Sequence, residues 1–144
     1  MRKAFTLIEL LVVIAIIALL STLAVIALGD ARERTNDADR LSQIKQVQLG
    51  LEAFFIDHNS YPVTSEEGII LGTGSAVCLN KEGFNAANCT DPYMAQIPRD
   101  PGNNSYRYVS PDGSAYIIEA VLEAGTKTLQ PGPVVVTPSG IRNQ

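Results

Sequence analysis

The alternation of apolar and polar positions changes character once along the chain, at Gly29. From Leu10 to Leu28 nineteen residues carry no formal charge. At 1.5 Å rise per residue they reach roughly the ~30 Å of a bilayer core, so the run can span a membrane as a helix. The competing reading is a secretory signal peptide with Arg2 and Lys3 as its positive n-region and a cut after Ala24. An apolar h-region of that kind is normally about 7 to 15 residues, and this run is longer.

After Gly29 the pattern becomes periodic. Leu41, Ile44, Val47, Leu51, Phe54 and Phe55 recur at helical spacing, with Arg32, Asp37, Arg40, Gln43, Lys45, Gln46 and Glu52 assigned to the opposite face. No proline falls between Phe5 and His58, so both stretches are expected to form one helix of roughly 80 Å, with Gly29 and Gly50 as soft points costing about 1 kcal/mol each. Asn59-Ser60-Tyr61-Pro62 ends it, because a residue before proline is pushed out of the α region. The stretch 63–105, punctuated by Gly68, Gly72, Gly74, Pro92, Pro98 and Pro101, reads as a variable loop. Tyr106–Val109 and Ala115–Leu122 flank an Asp112-Gly113 turn and predict an antiparallel hairpin, with Val134-Val135-Val136 as a third strand of a sheet over 106–137. Tyr116, Ile118, Ala120 and Leu122 would cover the helix face bearing Leu51, Phe54 and Phe55. The expected fold class is α+β: a long N-terminal helix packed on a small antiparallel sheet. The tail after Pro131-Gly132-Pro133 reads as an extended end, packed on a neighbour or mobile.

Charge and chemistry narrow the function. From Asp30 onward there are fourteen acidic and nine basic residues, which indicates no strongly basic nucleic-acid face; nucleic acid as a partner through a small local patch stays open. Cys78 and Cys89 enclose ten residues. They read as one disulfide in an exported domain, or as a reduced pair in a cytosolic one. No CxxC or histidine cluster points to a metal, and His58, the sole histidine, reads as a surface or capping residue. No nucleophile arrangement or phosphate loop is present, so no catalytic residue, cofactor or enzymatic activity is expected. Arginines at 32, 34 and 40 follow the span while only Arg2 and Lys3 precede it, so flanking charge leaves orientation open. One residue needs a purpose: Glu9, a carboxylate five residues into the apolar segment, where an ionisable group costs about 2.5 to 3.5 kcal/mol at a span's centre and less near its end. It either pairs with a cation or marks the interface by snorkelling.

Lys3-Ala4-Phe5-Thr6-Leu7-Ile8-Glu9 followed by an apolar helix resembles the class III signal of type IV pilins and of the pseudopilins of type II secretion, and the helix ending at Tyr61-Pro62 is similar too. Ile97-Pro98-Arg99-Asp100-Pro101 and Tyr106-Arg107-Tyr108 are similar to a Pro-x-Asp-Pro and Tyr-x-Tyr stretch of major pseudopilins. The resemblance implies that a prepilin peptidase cuts between Ala4 and Phe5 on the cytoplasmic side, removing residues 1–4, and that the new Phe5 amine is N-methylated. It further implies a transmembrane and polymerisation helix over 5–29 and an external pilin-like head over 30–144. Ala4 stands where the family usually has glycine, and Ile26 where a helix-bending proline is common. Major pseudopilins also carry a calcium site of acidic and serine residues in the C-terminal loop; Gly125–Gln144 holds no Asp or Glu, so no metal is expected here.

Physical chemistry gives Glu9 a role within that frame. Removal of residues 1–4 places a cationic amine on Phe5, about one helical turn from the carboxylate. An amine and a carboxylate paired in low dielectric are far better tolerated than either alone, so Glu9 would pair with the Phe5 amine of its own or an adjacent chain and set the height at which a subunit docks. Thirteen large aliphatic residues between Leu10 and Leu28, at ~1.5 to 3 kcal/mol each, make release into water cost on the order of 20 to 40 kcal/mol. The helix must pass from lipid directly into a bundle of identical helices, and a repeated head-to-tail contact yields a filament. The expectation is a structural subunit stored in a bacterial inner membrane, whose partners are lipid, a prepilin peptidase, the membrane assembly machinery and copies of itself. The acid-free C-terminal loop favours a surface pilus (motility, adhesion or DNA uptake) over a type II secretion pseudopilus. A membrane-anchored exported binding module or enzyme is the rival from another class.

Overall fold

A computed structural model describes residues 5–87 and 89–144. The chain divides into two compact units, one ending at Glu33 and one beginning at Arg34. Helix α1, Leu7–His58, is continuous in secondary structure through that boundary. No proline interrupts it. Its end is marked by Asn59 in the left-handed region (φ 52°), whose N–H reaches the Phe55 carbonyl at 2.7 Å. Asparagine tolerates that conformation, and Pro62 follows as a stop.

In the first unit every described residue of α1 is exposed, including Leu7, Ile8, Leu10, Leu11, Ile14, Ile16, Leu19, Leu23, Ile26 and Leu28. A helix that is apolar on all sides and covered by nothing is suited to lipid or to other helices, not to water.

The second unit holds the sheets. Strands β1 (Ile69–Ile70), β4 (Arg107–Val109), β5 (Ile117–Leu122), β6 (Gly132–Thr137) and β7 (Gly140–Asn143) form one antiparallel sheet in the order β1-β4-β5-β6-β7. Strands β2 (Cys78–Asn80) and β3 (Gly83–Asn85) form a separate hairpin. Along β5, Ile118, Ala120 and Leu122 point to the core while Ile117 and Val121 are exposed, the period-2 alternation of a half-covered sheet. That inner face, with Tyr106, Tyr108, Tyr116, Val134 and Val136, joins Ile44, Val47, Leu51 and Phe54 of α1 in one core. The predicted α+β class and the β4–β5 hairpin, paired Tyr108 to Ile118, are therefore present.

Four expectations need correction. The stretch 63–105 is not loop throughout: β1, β2 and β3 lie within it, β1 being only two residues long and β2 and β3 carrying Gly and Asn, which are depleted in strands. The tail is not a loose end; β7 pairs with β6 from Val134–Asn143 to Thr137–Gly140, but Ile141 is its sole large apolar residue, so no alternation announced it. Gly50 is no soft point. It is buried within an unbroken helix, packed beside Met94 and Leu79. Asp37 and Arg40, assigned to the polar face, are among the most buried side chains of the molecule at 1% and 0% exposure.

Candidate functional site

The first turn of α1 begins with a reciprocal cap. Glu9 Oε2 accepts from the Thr6 N–H at 2.9 Å and from the Thr6 hydroxyl at 2.7 Å, while the Glu9 N–H donates to Thr6 Oγ1 at 3.3 Å. A threonine followed three residues later by a glutamate is the capping-box arrangement, which satisfies donors that a helix start otherwise leaves open. The carboxylate singled out by the sequence is thus held within one turn of the Phe5 residue, and Phe5 is itself 81% exposed. Ala4, the other residue of the expected cleavage site, lies outside the described residues. Further along, the Thr22 hydroxyl donates to the Ala18 and Leu19 carbonyls at 3.1 and 2.8 Å, so this polar side chain is satisfied by its own helix. By length and composition α1 can cross a membrane.

In the second unit, the structure joins Cys78 of β2 to Cys89. Just beyond the closed segment, Met94 returns to pair with the backbone of Leu79 inside it. His58 is exposed at the end of α1, with Nδ1 3.0 Å from the Phe54 carbonyl and its ring stacked on Phe54 at 4.1 Å.

The Pro-x-Asp-Pro and Tyr-x-Tyr stretches act as fasteners. Asp100 receives two hydrogen bonds from Arg40, Nε at 2.6 Å and Nη2 at 3.0 Å. The same guanidinium donates to Asp37 at 2.8 Å and to Glu123 at 2.7 Å. Asp37 accepts three further bonds, from the N–H groups of Glu123, Ala124 and Gly125 at 2.7 to 2.9 Å. Burial pushes the Asp37 carboxyl up, but the Glu123 N–H, the Arg40 guanidinium and the next two N–H groups outweigh it and hold it below the usual range. Asp100 likewise sits low because Arg40 and the Gly102 N–H overcome its desolvation. The Tyr106 hydroxyl donates to Gln43 and the Tyr108 hydroxyl to the Pro62 carbonyl, and burial raises both phenols. Among the described residues no buried side-chain nitrogen or oxygen lacks a partner, and no group of three His, Cys, Asp or Glu is placed to hold a metal ion.

Sequence reasoning missed this Arg40 cluster. The signal was available in the spacing 37, 40, 44, 47, 51, 54, an unbroken alternation of three and four in which two charged residues continue the apolar face.

A long helix bare and apolar over its first half, opening on a capped glutamate and followed by a small antiparallel sheet, defines the pilin-like class of α+β subunits. Residues 27–128 match the family model for protein G of the type II secretion system, and residues 1–25 match the prokaryotic N-terminal methylation motif. The chain belongs to the type II secretion system protein G family. It is 29% identical over 110 residues to type II secretion system core protein G of Pectobacterium carotovorum subsp. carotovorum, covering 76% of this chain and 68% of the relative. It is 30% identical over 115 residues to the core protein G of Escherichia coli strain K12, covering 76% and 73%. It is also 32% identical over 114 residues to the type IV wide pilus major component PilA4 of Thermus thermophilus, covering 79% and 86%. No solved structure matches the chain.

Proposed function

We propose that this chain is the structural subunit of a type II secretion pseudopilus, stored in the inner membrane through residues 5–29 and polymerised through that helix once residues 1–4 are removed before Phe5. The observation that carries the reading is the match of residues 27–128 to the protein G family, joined to an apolar helix with nothing covering it. This shifts the balance struck from sequence, which favoured a surface pilus because Gly125–Gln144 has no acidic residue. A surface pilus is the second reading, favoured by the similarity to the Thermus pilus component over 86% of that protein. In both, the partners are further copies, a prepilin peptidase and the assembly machinery of the inner membrane.

Glu9 has the same task in either filament. In the single chain its carboxylate is satisfied by Thr6, and in the assembly it exchanges that bond for the Phe5 amine of a neighbouring copy. Glu9→Ala should insert into membranes as the parent does and fail to form ordered filaments; normal filaments from this variant refute the role. N-terminal mass spectrometry should find methylated Phe5 as residue one of the mature chain, and an intact start or a cut near Ala24 removes the whole reading. Loss of secreted enzymes without loss of surface fibres, on deletion of the gene, separates the pseudopilus from the pilus.

A further inference from the structure

The second unit grips α1 by two chemically different means. From Ile44 upward the contact is apolar: Ile44, Val47, Leu51 and Phe54 are at most 6% exposed and lie in the core with the inner face of the sheet. Between Arg34 and Gln43 it is polar. Asn36 donates to Glu123 at 3.3 Å, Asp37 receives three backbone N–H groups, Arg40 binds Asp100 and Glu123, and Gln43 accepts from Tyr106 at 2.7 Å. Leu41 is the single large apolar residue in those ten positions, and it is only partly buried. The polar contacts converge on two short segments, Asp100–Tyr106 ahead of β4 and Glu123–Gly125 after β5.

We infer that residues 34–43 form a releasable clasp: this part of α1 can part from the 123–125 and 100–106 segments as a unit while the helix from Ile44 onward stays packed. Apolar burial hardly responds to proton concentration, whereas the clasp depends on one guanidinium shared by carboxylates. The groups that face Arg40 are Asp37 on its own helix, Asp100 and Tyr106 from the segment entering β4, and Glu123 after β5, with Asp39 also acting on Tyr106. Each of the three carboxylates accepts a charge-assisted bond from Arg40, so protonating any one of them weakens its bond and with it the clasp. Release would move the first gripped residue from Asn36 to Ile44, eight residues or roughly 12 Å of helix at 1.5 Å each. The device stands whether or not the chain builds a filament.

Amide hydrogen exchange on the full chain in detergent micelles tests it, because the N–H groups of residues 123–125 donate to Asp37 and report the clasp directly. In Arg40→Met, in Glu123→Gln, and in the parent protein taken from pH 7 to about pH 2, below the ordinary carboxylate range, protection factors at 123–125 should fall at least tenfold. Those of 118–122 in β5 and 47–54 in α1 should change less than threefold. Spin labels at Ser42→Cys and Lys127→Cys should show a broadened, longer separation under the same conditions. Since Arg40→Met is the harshest change, the decision rests on Glu123→Gln and on acidification. If there the amides of 123–125 open only together with those of 118–122, or do not open at all, the head is one cooperative block and the clasp is refuted.

Discussion

Reduction of the Cys78–Cys89 bridge offers a clean perturbation, since both side chains stay in place and only the cross-link is lost. The cysteines are eleven positions apart. Loop-closure entropy for a ring of that size amounts to about 3 kcal/mol in the denatured chain. The native state has other ties across the same segment. Val77 N–H bonds to the Asn85 carbonyl, Leu79 and Met94 exchange both backbone bonds, and Ile97 N–H bonds to the Val77 carbonyl, all between 2.7 and 3.1 Å. The folded head should therefore persist on reduction while its unfolded competitor gains freedom. For the 115 residues after Gly29, about 3 kcal/mol corresponds to a fall in Tm of about 12 °C. All five tyrosines, 61, 93, 106, 108 and 116, lie in the second unit, so near-ultraviolet circular dichroism in micelles follows the head without interference from the apolar helix. A drop smaller than about 3 °C would show that the denatured chain is not freed by reduction. Loss of the tyrosine signal at 25 °C would show instead that the bridge holds the native state together. Each result contradicts the entropic reasoning.

Three further outcomes follow from burial, backbone and charge. Leu51→Ala, at a position with no exposure in the middle of the core, should lower unfolding free energy by about 2 to 5 kcal/mol in urea titrations, and a cost under 1 kcal/mol would mean the helix does not pack where described. Gly68 has φ +69° and a β-carbon there would lie 2.4 Å from the Tyr108 carbonyl, so Gly68→Ala should cost more than about 1 kcal/mol and lower the exchange protection at the β1–β4 edge. The folded carboxyls of Asp37 and Asp100 titrate below their unfolded values, so their stabilisation is complete above the ordinary carboxylate range near pH 4 and is lost as pH falls through their lower folded values. Tyr61 is pushed up to about 12 by burial and by Glu52, so its contribution is complete below pH ~10 and is lost as pH rises through 12. Urea midpoints measured across pH should show a plateau between these limbs, and a midpoint that rises on acidification contradicts the assignment.

The helix and the central hairpin were legible because their determinants are local. Thirteen aliphatics in nineteen positions, the 3–4 spacing up to Phe55, Pro62 as a stop and Asp112-Gly113 as a turn each act over a few residues. What stayed hidden depends on partners remote in sequence. Strand β7 exists because it borders β6, and β2–β3 because Cys89 and Met94 fold back on it. Arg40 looked like a surface residue because burying a guanidinium is unfavourable in isolation; Asp100, sixty positions on, and Glu123, eighty-three on, supply the charges that make burial tolerable.

The same cluster bears on the absence of acidic residues after Gly125. The segment after β5 needs something to hold its turning backbone, and a sequence view looks for that anchor inside the segment. Here the anchor is Asp37, 86 to 88 positions upstream, whose carboxylate accepts the N–H groups of residues 123, 124 and 125 and is itself steadied by Arg40. The backbone at 123–125, just ahead of the acid-free stretch, thus takes its stabilising charge from the helix. Family membership is drawn from residues 27–128 as a whole and so rests on far more of the chain than the composition of one loop.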